Sequence, residues 1–391
     1  MTSAILVPED LQHEVIATRR AIHCQPELGF EEVETSRLIT TRLRKLGFDV
    51  HTGIGETGVV GIMSGTKPGR TIMLRADMDA LPIQEDNTVD FRSKIAGKMH
   101  ACGHDGHVAI LLGAAALIAD RKQDLAGTVC VLFQPAEEGR GGAERMVNEG
   151  VIERFGIERA YGLHLWSNKP FGTLGFREGP ICASGDTIEI TIRARGGHGA
   201  MPHETPDPIV TAANFVTSVQ QVVSRCVDPM QPAVVTIGSI HGGSAPNVIP
   251  GSLQMLGTVR AFSKEVREAM PDRIERVLRG CCAISGAQCD YAYHRLFPVT
   301  ENDPEQARYA RGVALRLDEE RVIEIDPLTG SEDFSFFAQR VPACFFALGS
   351  RGGPSTANAH HSSTFDIDER ALEVGVQMMT ALALDAPRNA P

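Results

Sequence analysis

No apolar run in this 391-residue chain is long enough to cross a bilayer. The longest, "VAILLGAAALIA" from Val108 to Ala119, falls short of the roughly 18 to 20 residues a spanning helix needs, and reads as a buried helix. Basic blocks are missing too. The formal charge is −11 and the Lys and Arg residues are scattered singly or in pairs, so nothing could follow a phosphate backbone and no nucleic-acid partner is expected. "MTSAILVPED" at the N-terminus has neither the basic region nor the apolar stretch of a signal peptide. A cytoplasmic protein without membrane attachment is the expectation. The nine cysteines are odd in number and lack framework spacing, which predicts reduced thiols rather than disulfides. Internal repeats and low-complexity tracts are absent. The glycine-rich "GIGETGVVG" lacks the spacing and the Lys-Ser/Thr of a phosphate loop, and reads as a turn between strands.

What is present is the composition of a globular protein, 42% hydrophobic and 22% charged, in a chain too long for one ordinary core. Helical periodicity over Asp10–Ala21 and Glu31–Leu46 is followed by runs of strand length: "VVGIM", "TIMLRA", "VCVLF" and "YGLHL". The apolar helix, opening at about Asp105, lies between the second and third. Strands alternating with helices predict an α/β domain with a largely parallel sheet. From Asp186 the rhythm changes. "DTIEITIRA", a helix over Pro208–Cys226, "AVVTIGSI", "LQMLGTVRAF", a helix over Lys264–Ser285 and "CDYAYHRLF" follow in the order β-α-β-β-α-β, that of a ferredoxin-like unit. Beyond Pro298 the first rhythm resumes with a helix near Glu305–Leu317, the strand "ACFFALG" and a helix over Glu369–Leu384. The predicted organisation is a catalytic α/β domain over 1–183 and 298–391, interrupted by an α+β domain over 184–297.

In open α/β sheets, loops at the C-terminal ends of the strands gather residues distant in sequence. Here "TIMLRA" runs into Asp77 and Asp79, "VCVLFQP" into Glu137 and Glu138, and "YGLHLW" carries His164 near its end. "KMHACGHDGH" supplies Cys102 and His104 just before its helix. Taken singly, each has an ordinary reading: a solvated turn, a helix cap, a hydrogen-bonded core histidine. Jointly they place carboxylate, imidazole and thiol groups at one end of one sheet, a mixed donor set suited to a divalent metal. A divalent ion acidifies water toward neutrality. A free carboxylate beside it can take the proton and later return it to a leaving amine, and of two adjacent glutamates one can ligate while the other stays free.

The strings "RADMDALPIQE", "KMHACGHDGHVAILLG", "LFQPAEEG", "YGLHLW", "GGHGAMPHETPDPI", "NVIPGSLQMLGTVR", "GSEDFSFF" and "HHSSTFDIDERAL" run in order from Arg75 to the terminal helix, within a likeness that extends from about Arg19. Together they resemble the amidohydrolase group of hippurate hydrolases, N-acyl-amino-acid hydrolases and hydrolases of indole-acetyl amino acids, within the dinuclear aminoacylase and carboxypeptidase-like metallopeptidases. The resemblance implies a metal-bearing α/β domain with an inserted lid and dimerisation domain, and two divalent ions per subunit (zinc, manganese or cobalt). Cys102, His104, Glu138, His164 and His361 resemble the ligands of the two ions, and Glu137 the general base. Asp77 and Asp79 stand where distant relatives carry a ligand and an orienting carboxylate, and here imply supporting roles behind the ligands. His198 resembles a lid-domain histidine that serves the site of the second subunit of a homodimer. Asn247 and Arg260 resemble groups that hold the substrate carboxylate. One departure is Ser363, at a position where the family usually has proline. Its neighbour His360 is expected to face solvent.

The resulting expectation is a metal-dependent amidohydrolase that splits an N-acyl amino acid into a carboxylic acid and a free amino acid. A dipeptidase, or a deacetylase of a biosynthetic intermediate of the N-acetyl-diaminopimelate type, would share every residue named. A metal-dependent amino-acid binder has no need of Glu137, and a redox-thiol protein would want a partner for Cys102 at C-x-x-C spacing.

Overall fold

Strands whose residues are apolar without interruption are built to be covered on both faces, and those of the first half behave in this way. The structure, a computed structural model, describes residues 5–386. In chain order the elements that position the site are α1 (Glu9–His23), α2 (Val33–Lys45), β1 (Asp49–Ile54), β2 (Gly58–Ser64), β3 (Lys67–Asp77), α3 (His104–Asp120), β4 (Ala126–Gln134), β5 (Arg159–Pro170) and β6 (Leu174–Phe176). After these come β7 (Gly185–Arg193), α4 (Pro208–Ser218), α5 (Gln220–Cys226), β8 (Ala233–Gly242), β9 (Ser252–Ala261), α6 (Lys264–Ser285) and β10 (Gln288–Phe297). The chain finishes with α7 (Pro304–Leu317), β11 (Val322–Glu324), β12 (Ala343–Arg351) and α8 (Arg370–Asp385). Among the described residues no helix is long and apolar enough to cross a membrane, and the nine cysteines are unpaired.

The chain divides into two compact units: residues 1–181 with 301–326 and 333–391, and residues 182–300 with 327–332. Segment 327–332 is thus grouped with the second unit, although a sequence boundary at 298 would give it to the first. Two hydrogen bonds attach it there: Ala183 N–H donates to Leu328 O at 2.9 Å, and the side-chain hydroxyl of Thr300 donates to Glu332 O at 3.0 Å.

The first unit carries an eight-stranded sheet in the order β1-β2-β4-β3-β5-β12-β6-β11. Its centre, β4-β3-β5-β12, is parallel, so four strand ends point the same way. Helix α3 is apolar on all sides and almost wholly buried against α1, α8 and the sheet. It begins at His104 because Gly103 holds φ at 90°, a left-handed turn that a residue with a Cβ adopts only under strain.

The second unit has the sheet order β8-β9-β7-β10, antiparallel throughout, with α4, α5 and α6 packed on it, which is the ferredoxin-like arrangement. Helix α6 spans the expected range, with Ser263 capping its N-terminus and Gly286 ending it. The single helix expected over Pro208–Cys226 is instead two. At Val219 the ladder tightens, Val222 N–H bonding Val219 O three residues back at 3.0 Å.

Candidate metal centre

Four buried strand ends would be an unfavourable place for carboxylates and imidazoles unless each were partnered. Strand β3 ends in Asp77, whose buried side chain accepts from Arg75 Nη1 at 2.7 Å and from His107 Nδ1 at 2.5 Å. Burial alone would raise the Asp77 carboxyl, but Arg75, His104 and His107 outweigh it and hold the group well below the usual carboxylate range. His107 Nε2 accepts the Leu165 N–H at 2.8 Å, so its proton sits on Nδ1 and both ring nitrogens are occupied. Its place is therefore beneath the site as a brace.

His104 is arranged differently. Its Nδ1 donates to Asp79, 3.0 Å from the carbonyl and 3.2 Å from Oδ1, while its Nε2 is buried with no hydrogen-bond partner. His164 repeats the pattern: Nδ1 donates to Leu165 O at 2.8 Å, leaving Nε2 to face Cys102 Sγ at 3.4 Å. Burial, joined by the neighbouring imidazoles of His107 and His360, keeps His164 well below the ordinary histidine value and so neutral. Burial and then Glu138 push the Cys102 thiol up.

Strand β4 leads through Ala136, at φ 53°, to the paired glutamates. Glu138 N–H donates to Asp79 Oδ2 at 3.0 Å, and Glu138 Oε1 lies 3.2 Å from His361 Nε2. Glu137 is buried and its Oε1 accepts from Asp333 N–H at 3.4 Å. His361 comes from the loop after β12, also with positive φ (64°), and is tied to the Cys102 loop by its N–H to Ala101 O at 2.8 Å. Hydrogen bonding to Cys102 and then to Glu138 lifts its pKa to about 10.

Ligating atoms thus converge in overlapping groups, each within 4.8 Å: Cys102, Glu138 and His361; His104, Glu137 and Glu138; Cys102, His164 and His360. A thiol, carboxylates and imidazoles whose free nitrogens point inward fit divalent ions, and the partnerless Nε2 of His104 is the observation that tests the fit. All eight residues singled out in this unit (Asp77, Asp79, Cys102, His104, Glu137, Glu138, His164 and His361) meet at one place.

His360 corrects an expectation, because it does not face solvent. Its Nε2 accepts the Ser167 N–H at 3.3 Å and its Nδ1 lies 3.6 Å from Cys102 Sγ, and burial first of all lowers its pKa to about 3. Ser363, where proline was usual, is fixed by its carbonyl, which accepts the Asp86 N–H at 2.9 Å.

Sequence reading also missed what lies underneath. Asp105 is gripped by Arg19 Nε and by His23 Nδ1, each at 2.8 Å, and His23 Nε2 reaches Glu85 at 3.2 Å. Burial would lower the His23 pKa, but the carboxylates of Asp105 and Glu85, one at each nitrogen, outweigh it and raise the pKa above the ordinary histidine value. Arg75 similarly joins Asp77, Gln134 and Asp333. An arginine inside an otherwise apolar strand was the available signal.

In the second unit, His198 and Asn247 are neighbours. His198 pairs with Val248 in a two-stranded ribbon, Gly199 N–H donates to Asn247 O at 2.7 Å, and His198 Nδ1 accepts the Ala200 N–H at 3.1 Å. Arg260 lies apart on β9, half-buried, donating to Val259 O at 3.2 Å.

Comparison with known proteins adds an independent line. A profile of Peptidase family M20/M25/M40 matches residues 73–385. Thermostable carboxypeptidase 2 of Saccharolobus solfataricus is 40% identical over 381 residues, 96% of each chain. N-acetylcysteine deacetylase of Bacillus subtilis is 39% identical over 371 residues, covering 95% of this chain and 96% of that one. N-acyl-L-amino acid amidohydrolase of Geobacillus stearothermophilus is 42% identical over 76% of this chain and 81% of its own. The crystal structure of a Bacillus subtilis dinuclear metal-binding peptidase of the M20 family superposes with a TM-score of 0.86 at 35% identity, covering 98% of this chain and 100% of that one. The chain belongs to Peptidase family M20/M25/M40 and is a metal-dependent amidohydrolase of that family.

Proposed function

We propose that this enzyme hydrolyses the amide bond of N-acyl amino acids, releasing a carboxylic acid and a free amino acid. The observation that carries the reading is the unequal environment of two neighbouring glutamates: Glu138 lies against His361, whereas Glu137 is buried beside Asp333 with its carboxylate at the edge of the donor cluster. Cys102, His104, Glu138, His164 and His361 would hold two divalent ions, with Asp77 and Asp79 orienting them from behind. Bound there, the ions would supply Lewis acidity toward the amide carbonyl and the attacking water. Glu137 takes the proton of that water and delivers it to the leaving nitrogen, so one carboxylate serves as base and then as acid. Asn247 and Arg260 are assigned to the substrate carboxylate. His198 is assigned to the oxyanion of the tetrahedral intermediate in a second copy of the chain, the two copies pairing through the second unit.

The relatives' names support an acetyl group, through N-acetylcysteine deacetylase, and an indole-acetyl group, through the 40% identity with an Arabidopsis thaliana IAA-amino acid hydrolase, while benzoyl rests on the sequence resemblance alone. The two Saccharolobus carboxypeptidases support a second reading, cleavage of a peptide's C-terminal residue. A panel of N-acetyl, benzoyl and indole-acetyl amino acids and of dipeptides decides between them, assayed after chelation and reloading with zinc, manganese or cobalt. Restored turnover on N-acyl amino acids in preference to dipeptides is expected, and the reverse ranking overturns the first reading. Mixing Glu137→Gln and His198→Ala homodimers tests the assignment of His198. Random pairing should return about a quarter of wild-type activity, and heterodimers confirmed by mass but inactive would refute it.

A further inference from the structure

The proposed chemistry leaves several buried carboxylates without a task, and Glu32 is among them. Glu32, at the start of α2, is fully shielded from solvent. Its Oε1 accepts the backbone N–H of Ala136 at 2.8 Å, and its Oε2 accepts the hydroxyl of Thr57 at 2.6 Å. Ala136 is the residue immediately before Glu137, and its φ of 53° is the left-handed conformation that an alanine adopts only when its surroundings hold it there. The rest of the elbow is clamped by local contacts. Ala136 O accepts from Gly142 N–H at 3.1 Å, and a Cβ on Gly29 would come within 2.9 Å of the Ala136 Cα and Cβ.

We infer that Glu32, held in orientation by Thr57, is a positioning residue that fixes the left-handed elbow at Ala136 and thereby aims the Glu137 carboxylate. The inference rests on the assignment of Glu137 as general base. Glu32 makes no hydrogen bond to a proposed metal ligand, and acts through one backbone hydrogen bond. Among the described residues the Ala136 N–H has this one acceptor. Without an acceptor this buried N–H would lose its compensation and the turn its reason to stay left-handed. The pKa of Glu32, raised to about 7 chiefly by burial, agrees with a group whose use is hydrogen bonding in either protonation state. Its amide isostere keeps the same geometry, the carbonyl accepting from Ala136 and the NH2 donating to the Thr57 oxygen.

The test compares Glu32→Ala, Glu32→Gln and Thr57→Val in metal-loaded enzyme, by kcat and KM on an N-acetyl amino acid and by hydrogen–deuterium exchange of peptides covering 133–140. Glu32→Ala should lower kcat about a hundredfold, the scale for a misplaced catalytic group, with KM held and metal stoichiometry intact. Exchange over 133–140 should rise with it. Thr57→Val should give a smaller loss of the same kind, and Glu32→Gln should recover most of kcat and the protected exchange. Unchanged exchange in Glu32→Ala, or a loss in Glu32→Gln as large as in Glu32→Ala, overturns the inference. Should Glu32→Ala not fold, Thr57→Val set against Glu32→Gln makes the same comparison, and raised exchange in the first alone supports the brace. Glu137→Gln run in parallel separates the two assignments: full turnover there rejects Glu137 as base, while the exchange data still report on the elbow.

Discussion

The two units bury polar groups for different ends. In the first, strands β3, β4 and β12 are covered along nearly their whole catalytic halves, and the buried charges gather where those strands stop. In the second, β7 and β9 alternate buried and exposed positions, one face on the helices, and a single charged knot suffices. That knot is Asp186, which accepts from Arg267 at 2.9 and 2.7 Å, from Tyr293 Oη at 2.8 Å and from Leu296 N–H at 3.1 Å. Asp186 has its partners within its own unit and no ligand near it in sequence. Asp105, equally buried, is followed two residues on by His107 and preceded by His104. Buried charge in the second unit ties a fold together, whereas in the first it also sets where the proposed ligands point.

Exchanging Glu137 for Gln should produce the largest effect and bears on the first unit alone. Turnover should fall by roughly a hundred- to ten-thousand-fold, the contribution of general acid–base catalysis, with metal content and stability unchanged. Glu138→Gln, one residue away, should instead lose metal by elemental analysis. If the two swap phenotypes, their assignment is reversed.

Next in size is Arg19→Met, which would leave the Asp105, Asp366 and Glu369 carboxylates without their shared cation. Removing one partner of a buried pair costs about 3–5 kcal/mol. Chemical denaturation should show that loss, and a chelator competition should show weaker metal retention as well. Asp186→Asn makes the matching change in the second unit. It should cost roughly 2 kcal/mol, the worth of hydrogen bonds to a charged group. Hydrogen exchange should rise across β7 and β10 while metal stoichiometry stays complete, and metal loss in this variant would break the contrast between the units.

The last effect depends on pH and falls to nothing in acid: it concerns Glu32. Its pKa is raised from 4.5 to about 7, so the folded state binds this proton more tightly than the unfolded chain. The stabilisation is complete below about pH 4.5 and disappears as pH rises through 7. Glu32→Gln cannot ionise. Its melting temperature should match wild type near pH 5 and exceed it increasingly toward pH 8, by no more than the equivalent of about 3 kcal/mol. A constant offset across that range would show that Glu32 titrates normally.

Periodicity made much of the fold legible. Helix α6 could be bounded to the residue because Ser263 and Gly286 are strong signals at its two ends, even with Pro271 inside it. The short strands β6 and β11, three residues each, carry too few residues to show a period. In the site, the residues that announce themselves are those whose type is rare at a strand end, such as His164 and the Glu137–Glu138 pair, or in the loop before a buried helix, such as Cys102. Their supports do not. Glu32 acts on Ala136 across 104 positions and Arg19 on Asp105 across 86, and a solvated helix would contain the same glutamates and arginines. His360 was misjudged for a related reason: two adjacent histidines in a loop look like one functional group and one bystander, and only the folded loop shows the ring of the first turned inward beside Cys102.

The proposed ligands are unequally sheltered, and this gives the centre a front and a back. The side chain of His361 is 52% exposed and that of Glu138 15%, whereas His104, at the head of a helix packed on every side, is 1% exposed. An ion held there would shed its protein bonds in order of their shelter: His361 first, Glu138 next, and His104 at the head of α3 last. A chelator would then meet the ion from the His361 side, so removing that one exposed imidazole should shorten the time the enzyme keeps its metal more than it weakens the enclosed back wall.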